Sequence, residues 1–325
     1  MTTTVFVTGA AGFIGSRVAR LLRERGDEVV AVVRNPAKAV ALRDLGVRLV
    51  AGDLGSEAAI RAAMTDADAV IHIAGSYNVG IPASERPLMY EANVAVTERV
   101  LDAAIADGIP RIVEITTINV FGNSHGQVHD ETFRRDLADG FLSYYDETKY
   151  LAHVAAEARI AAGAPIVIVA PGTVYGPHDH SAIGFQLKAA FDGTARFVAL
   201  GDLGVSPTHV DDIAAGIVAG LDRGRIGEVY IMGGESMRLR DAMGVAARAA
   251  GRRLPRLAIP NGVLRVGVRL APGGGALFGL APNLAEILRA ADGVTLWASH
   301  AKATTELGYT SRDLETGVRD AYGHP

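Results

Sequence analysis

The chain has 325 residues, enough for one large domain or two at about 150 residues each. Hydrophobic residues are 49% and charged residues 21%, which excludes a disordered chain, and a net charge of −4 gives no basic surplus for a nucleic-acid partner. There is no cysteine, so disulfide scaffolds, thiolate metal sites and cysteine nucleophiles are excluded.

Residues 4–8 (Thr-Val-Phe-Val-Thr) read as a first strand, after an N-terminus with no basic cluster of the signal-peptide kind. A glycine cluster follows, then a helix over 17–25 that Gly26 ends. Strand 28–33, helix 36–45, strand 47–51 and helix 56–64 come next, with Ser56 as N-cap. Strand 69–74 leads through an irregular stretch into a helix at about 88–107. Strand 111–116, helix 145–162 and strand 166–170 complete a regular alternation. That alternation predicts βαβ crossovers and a parallel sheet covered on both faces, a doubly wound α/β fold. After residue 171 it loosens into short strands near 196–200 and 228–232 and helices near 210–222, 238–250 and 283–291. The best bilayer-spanning candidate, near 262–282, is interrupted by Arg265, Arg269 and glycines, so a cytoplasmic protein without a membrane span is expected.

Between the first strand and first helix stands Thr8-Gly9-Ala10-Ala11-Gly12-Phe13-Ile14-Gly15. Its GxxGxxG spacing suits a tight turn, close approach of backbone to a pyrophosphate, and a helix N-terminus aimed at it. An acidic residue at the end of the second strand would bind a ribose 2′-hydroxyl; here that strand ends Val32-Val33-Arg34-Asn35. A guanidinium pairs with phosphate, so Arg34, helped by Lys38, favours NADP(H), with NAD(H) still possible. Asp53, after the third strand, is either an adenine acceptor or a helix-start aspartate. Ala74 and Gly75 keep the end of the fourth strand small where a cofactor would cross it.

Tyr145 and Lys149 lie at i and i+4 on one helix face. A phenol with a pKa near ~10 needs a neighbouring ammonium to exchange protons at neutral pH. The same lysine can hold the nicotinamide ribose. Thr116 and Thr117 end the fifth strand, at the edge where open α/β sheets bind ligands, and a hydroxyl there can hold a substrate oxygen.

These residues, with Asp53-Leu54, His72-Ile73-Ala74-Gly75, Asn93-Val94, Val120-Phe121-Gly122, 171–177 and His209-Val210-Asp211-Asp212-Ile213, resemble the extended short-chain dehydrogenase/reductases over residues 8–213. The resemblance implies a Rossmann domain at 1–174 plus about 206–235, and a smaller interleaved C-terminal α/β substrate domain at about 175–205 plus 236–325. It implies Thr117, Tyr145 and Lys149 as the catalytic set. It implies cofactor contacts from Gly9, Gly12, Phe13, Ile14, Gly15, Leu54, Asn93, Thr116, Tyr145 and Lys149, and passage of Pro171, Gly172, Thr173 and Val174 beside the nicotinamide. Phe121 stands where a tyrosine is frequent, and Ala170 where an arginine is usual.

Nucleotide-sugar enzymes of the family carry a diphosphate-binding arginine just before His209; here the positions read Val205-Ser206-Pro207-Thr208. The stretch 224–235 is similar to the dihydroflavonol-reductase-like branch instead. A ketone or aldehyde reductase or alcohol dehydrogenase is therefore expected, with a sugar or nucleotide-sugar epimerase or dehydratase as the alternative. Tyr77, Asn78, Phe141 and Tyr144 are the substrate-pocket candidates. His178-Asp179-His180 lacks a third ligand, so no metal is expected. Similar proteins pair through helices near 90–107 and 145–162, so a homodimer is expected, with Ala152, Ala155, Ala156 and 158–162 as its small-residue face.

Overall fold

The structure is a computed structural model and describes residues 2–259, 262 and 283–323. The interrupted apolar run at 262–282 falls, Gly262 apart, outside the described residues. Among the described residues no helix is long and apolar enough to cross a membrane.

The strands are β1 (Thr4–Thr8), β2 (Glu28–Val33), β3 (Arg48–Ala51), β4 (Ala69–His72), β5 (Ile112–Ile115), β6 (Ile166–Pro171), β7 (Thr173–Tyr175), β8 (Gly204–Val205), β9 (Pro207–His209), β10 (Val229–Met232) and β11 (Met237–Arg238). Seven form one parallel sheet in the order β10-β6-β5-β4-β1-β2-β3. The chain reverses direction across the sheet between β1 and β4, and that reversal opens a crevice at their carboxyl ends.

Both faces are apolar because β-branched runs fill the alternating positions. On one face α1 (Gly15–Glu24) and α8 (Val210–Arg223) lay Val18, Leu22, Ile213 and Ile217 against Val5, Val7, Ile71 and Val113. On the other, α3 (Glu57–Met64), α5 (Val96–Ala106) and α6 (Tyr144–Ala161) lay Ile60, Val100, Leu101 and Ala156 against Phe6, Val70 and Ile112. Each such fully buried aliphatic side chain contributes on the order of 1.5–3 kcal/mol. A third cluster lies off the sheet. There α7 (Ala182–Asp192), α9 (Leu239–Ala249) and a helix over Leu314–Tyr322 pack Leu187, Met243 and Val318 around Tyr175.

Several elements differ from the sequence expectation. The helix expected at 36–45 is a 3₁₀ turn at Pro36–Lys38 and a short α2 (Val40–Asp44). The Asn35 side chain accepts from Ala37 N and tightens that turn. The helix expected at 88–107 starts as α4 (Arg86–Tyr90), widens into a π turn at Glu91–Ala95 and continues as α5. No strand forms at 196–200; an extended segment needs a partner for its ladder, and only Val198 finds one, at Ala258. Helix α7 was not expected, although Ser181 caps its start and Gly193 ends it at φ 72°. Ala152 and Ala156, placed on an outward small-residue face, are fully buried in the chain's own core. Leu151 and Val154 occupy the exposed side of α6.

Candidate active site

A cleft of about 1250 Å³ follows the carboxyl edge of the sheet across the β1–β4 crevice. Every residue assigned above to cofactor or to catalysis lines it. Of the four substrate candidates only Tyr77 does. Asn78 is exposed outside the lining. Phe141 lies under the Arg135 guanidinium at 4.6 Å, and Tyr144 under that of Arg86 at 4.9 Å.

The glycine loop is shaped for a ligand that needs bare backbone. Gly9 sits at φ +68°, where a side chain is strained. A Cβ on Gly15 would fall on the Gly9 carbonyl, at 2.1 Å. Helix α1 starts there with no side-chain cap, and its N-terminus meets the cleft at Ile14 and Gly15, which line it. Arg17 fixes the loop by donating to the carbonyls of Phe13 (3.2 Å) and Pro177 (2.9 Å). These features fit a dinucleotide pyrophosphate. Beyond β2, Arg34 and Lys38 line the same cleft as exposed cations, and neither side chain has a partner among the described residues. Asp53 Oδ1 accepts from Gly55 N at 2.8 Å, a turn bond that leaves its other oxygen open.

A buried polar row supports the floor. Thr8, His72 and Glu114 stand side by side on β1, β4 and β5. Thr8 Oγ1 accepts from Ile73 N and Ala74 N, so its hydroxyl donates to His72 Nδ1 at 2.7 Å. His72 Nε2 then donates to Thr97 Oγ1 at 3.0 Å, and Thr97 donates to Asn93 O. Burial, with the Lys149 charge added, holds the His72 pKa down at about 3, so the ring is neutral. The π turn aims Asn93 across to the site. Its amide donates to Ser76 O and Thr148 Oγ1, both at 3.0 Å, and its carbonyl accepts from Ser76 N. Asn93 thereby ties the end of β4 to α6.

Helix α6 presents the reactive pair. Ser143 caps its start, accepting from Asp146 N. Asp146, fully buried, pairs with both terminal nitrogens of Arg135 at 3.0 Å. That buried, bidentate pair locks the first turn beside Tyr145. Lys149 is buried and donates from Nζ to Ile115 O at 2.9 Å. Thr117 caps the turn after β5, and its hydroxyl contacts Asn119. Burial pushes the Tyr145 pKa up, Tyr77 adds to the rise, and the Thr117 hydroxyl opposes it. The phenol therefore keeps its proton across the neutral range, the form a general acid needs. The Tyr77 ring meets that of Tyr145 edge-on at 4.8 Å.

Sequence reasoning missed Asn119, Leu296 and the specific side chains Asp179, Ser181 and Ile183, which line the cleft with Thr117 and Tyr77. Asn119, two residues after Thr117, was findable as a turn partner. Leu296 arrives from far along the chain with no local signal. Asp179 accepts from Ser181 N and Oγ and has no cationic partner in the described residues. Arg135 and Lys188 are engaged with Asp146 and Asp192.

A doubly wound sheet, a glycine-loop cleft and a tyrosine–lysine pair at its middle define a dinucleotide-dependent oxidoreductase. The chain belongs to the NAD dependent epimerase/dehydratase family, which residues 5–233 match. It is 29% identical over 267 residues to a Synechocystis sp. protein named after dihydroflavonol 4-reductase, covering 78% of this chain and 75% of that one. It is 33% identical over 268 residues to a dTDP-glucose 4,6-dehydratase of Streptomyces griseus, covering 77% and 80%. Among solved structures, gox2253 superposes with a TM-score of 0.84 at 29% identity, over 99% of this chain and 97% of that one.

Proposed function

We propose that this chain is an NADP(H)-dependent oxidoreductase that interconverts a ketone or aldehyde with an alcohol. The observation that carries the reading is the distribution of charge along the cleft. Arg34 and Lys38 stand at the adenosine end, and Lys149 lies in the middle. The other charged groups among the described lining residues are the acids Asp53, Glu91 and Asp179, with Asp179 on the segment after β7, and no further lysine or arginine is among them. A sugar nucleotide brings a diphosphate that needs a positioned cation, and an aspartate repels it. The position that would hold that cation is Val205, fully buried in β8.

When bound, the dinucleotide supplies or takes up the hydride. Thr117 and Tyr145 hold the carbonyl oxygen, and Tyr145 delivers the proton. Lys149 positions the nicotinamide ribose, and its ammonium stabilises the phenolate left behind. Exposed Leu88, Tyr90, Leu151 and Val154 on α4 and α6 support a homodimer through that side.

The alternative is a sugar or nucleotide-sugar epimerase or dehydratase, which the similarity to a dTDP-glucose dehydratase favours. An epimerase recycles its cofactor in place; a reductase must exchange it. Purified protein is therefore expected to lose dinucleotide on dialysis and to rebind added NADPH. A dinucleotide that resists dialysis and is released only on denaturation would favour the epimerase.

A further inference from the structure

Glu114 is a buried charged residue beside the site that the proposed chemistry leaves unused. It lies in the middle of β5, is fully inaccessible to solvent, and among the described residues neither carboxyl oxygen has a hydrogen-bond partner. A carboxyl in that position is costly unless something balances it. Strand alternation puts it on the same face as Ile112, the face that α5 and α6 cover.

The neighbours leave few candidates. On β4 its register partner is His72, whose two ring nitrogens are already occupied by Thr8 and Thr97 and which stays neutral. On β6 its register partner is the apolar Ile168. On α6 stands Lys149, whose ammonium is bonded to the carbonyl of Ile115, the residue that follows Glu114. That bond uses one of three donors. The chain has four lysines, and this one is buried with its ammonium bonded one residue along β5 from the unpartnered carboxyl.

We propose that Glu114 is a positioning residue that acts through Lys149, its carboxyl being the counter-charge that keeps the amine protonated beneath the nicotinamide end of the cleft. Each group is the charge that acts on the other. Burial lowers the Lys149 pKa and the Glu114 charge opposes that fall. Burial raises the Glu114 pKa and the Lys149 charge opposes that rise. An ionised Glu114 and a protonated Lys149 therefore favour each other. Without Glu114 the Lys149 proton would leave at lower pH, and the phenolate of Tyr145 would lose its stabilising charge.

This inference rests on the reading of Tyr145 and Lys149 as the proton-transfer pair, and its test does not use turnover. With four lysines, full-length protein labelled at the lysine ε-carbon gives four signals to follow by NMR from neutral to alkaline pH. The Lys149 signal is the one lost in Lys149→Arg. In Glu114→Gln and Glu114→Met the Lys149 transition is expected to move down by about one pH unit or more, at least about tenfold weaker proton binding. An unchanged transition in either variant overturns the proposal. If neither variant folds, the wild-type titration decides. The Lys149 signal should then show a smaller step, from Glu114, besides its main one, and a single step overturns the proposal. The two failures are separable: a fully active Tyr145→Phe sinks the proton-transfer reading, whereas an unmoved Lys149 signal sinks only the role of Glu114.

Discussion

Tyr145→Phe is expected to lower turnover by ~10²–10⁴-fold while leaving NADP(H) affinity nearly unchanged. The substitution removes one oxygen from a ring whose edge-on contact with Tyr77 it preserves. The first turn of α6 does not depend on that oxygen. It is held by Ser143 and by the buried Asp146–Arg135 pair. The cofactor side of the cleft is built from the glycine loop, Asn93 and Lys149, none of which bonds the phenol. Tyr77, the other phenol among the described lining residues, has no lysine one turn along its own segment. Thr117 can orient the substrate oxygen, but an aliphatic hydroxyl is a poor acid. Steady-state kinetics with cofactor binding measured separately give the comparison. Retention of more than about a tenth of kcat would remove Tyr145 from its role.

Arg34→Ala is expected to weaken NADP(H) about ten- to a hundredfold and to leave NAD(H) within a few-fold of the parent. A charge-assisted hydrogen bond to a phosphate is worth roughly 1.5–3 kcal/mol. Arg34 is exposed on the cleft rim and pairs with no carboxylate among the described residues, so its charge is available to a ligand. Lys38 lies one short turn further on and softens the loss. The effect should shrink at high salt, as expected for an exposed ion pair. Fluorescence titration of both cofactors at matched ionic strength reads the ratio. Equal affinities for NADPH and NADH in the parent protein would contradict the assignment.

The sheet was legible because its strands are short apolar runs set between helices at regular spacing. β1, β2, β4, β5, β6 and β10 stand within a residue or two of where the pattern puts them. The glycine loop and the Tyr145–Lys149 spacing were legible for a similar reason: each is local, within eight residues. What escaped depends on distant contacts. β7 and β9 are three residues long and exist because they pair with each other. Phe141 and Tyr144 are aromatic and near Tyr145 in sequence, yet the turn before α6 directs them to Arg135 and Arg86. The π turn at Glu91–Ala95 has no compositional mark, although it is what lets Asn93 reach Ser76 and Thr148. Glu114 sits inside Ile112–Ile115, where a lone charge in a short strand normally signals an exposed face. Only burial by α5 and α6 distinguishes it.

The central claim is net hydride transfer between free NADP(H) and a simple carbonyl. Its most direct test follows NADPH absorbance while purified protein meets two panels: small and medium apolar ketones and aldehydes, and UDP- and dTDP-sugars. Stoichiometric NADPH consumption is expected with at least one simple carbonyl, abolished in Tyr145→Phe, with no conversion of any nucleotide sugar. Conversion of a nucleotide sugar, with no NADPH consumed by any carbonyl, would contradict it.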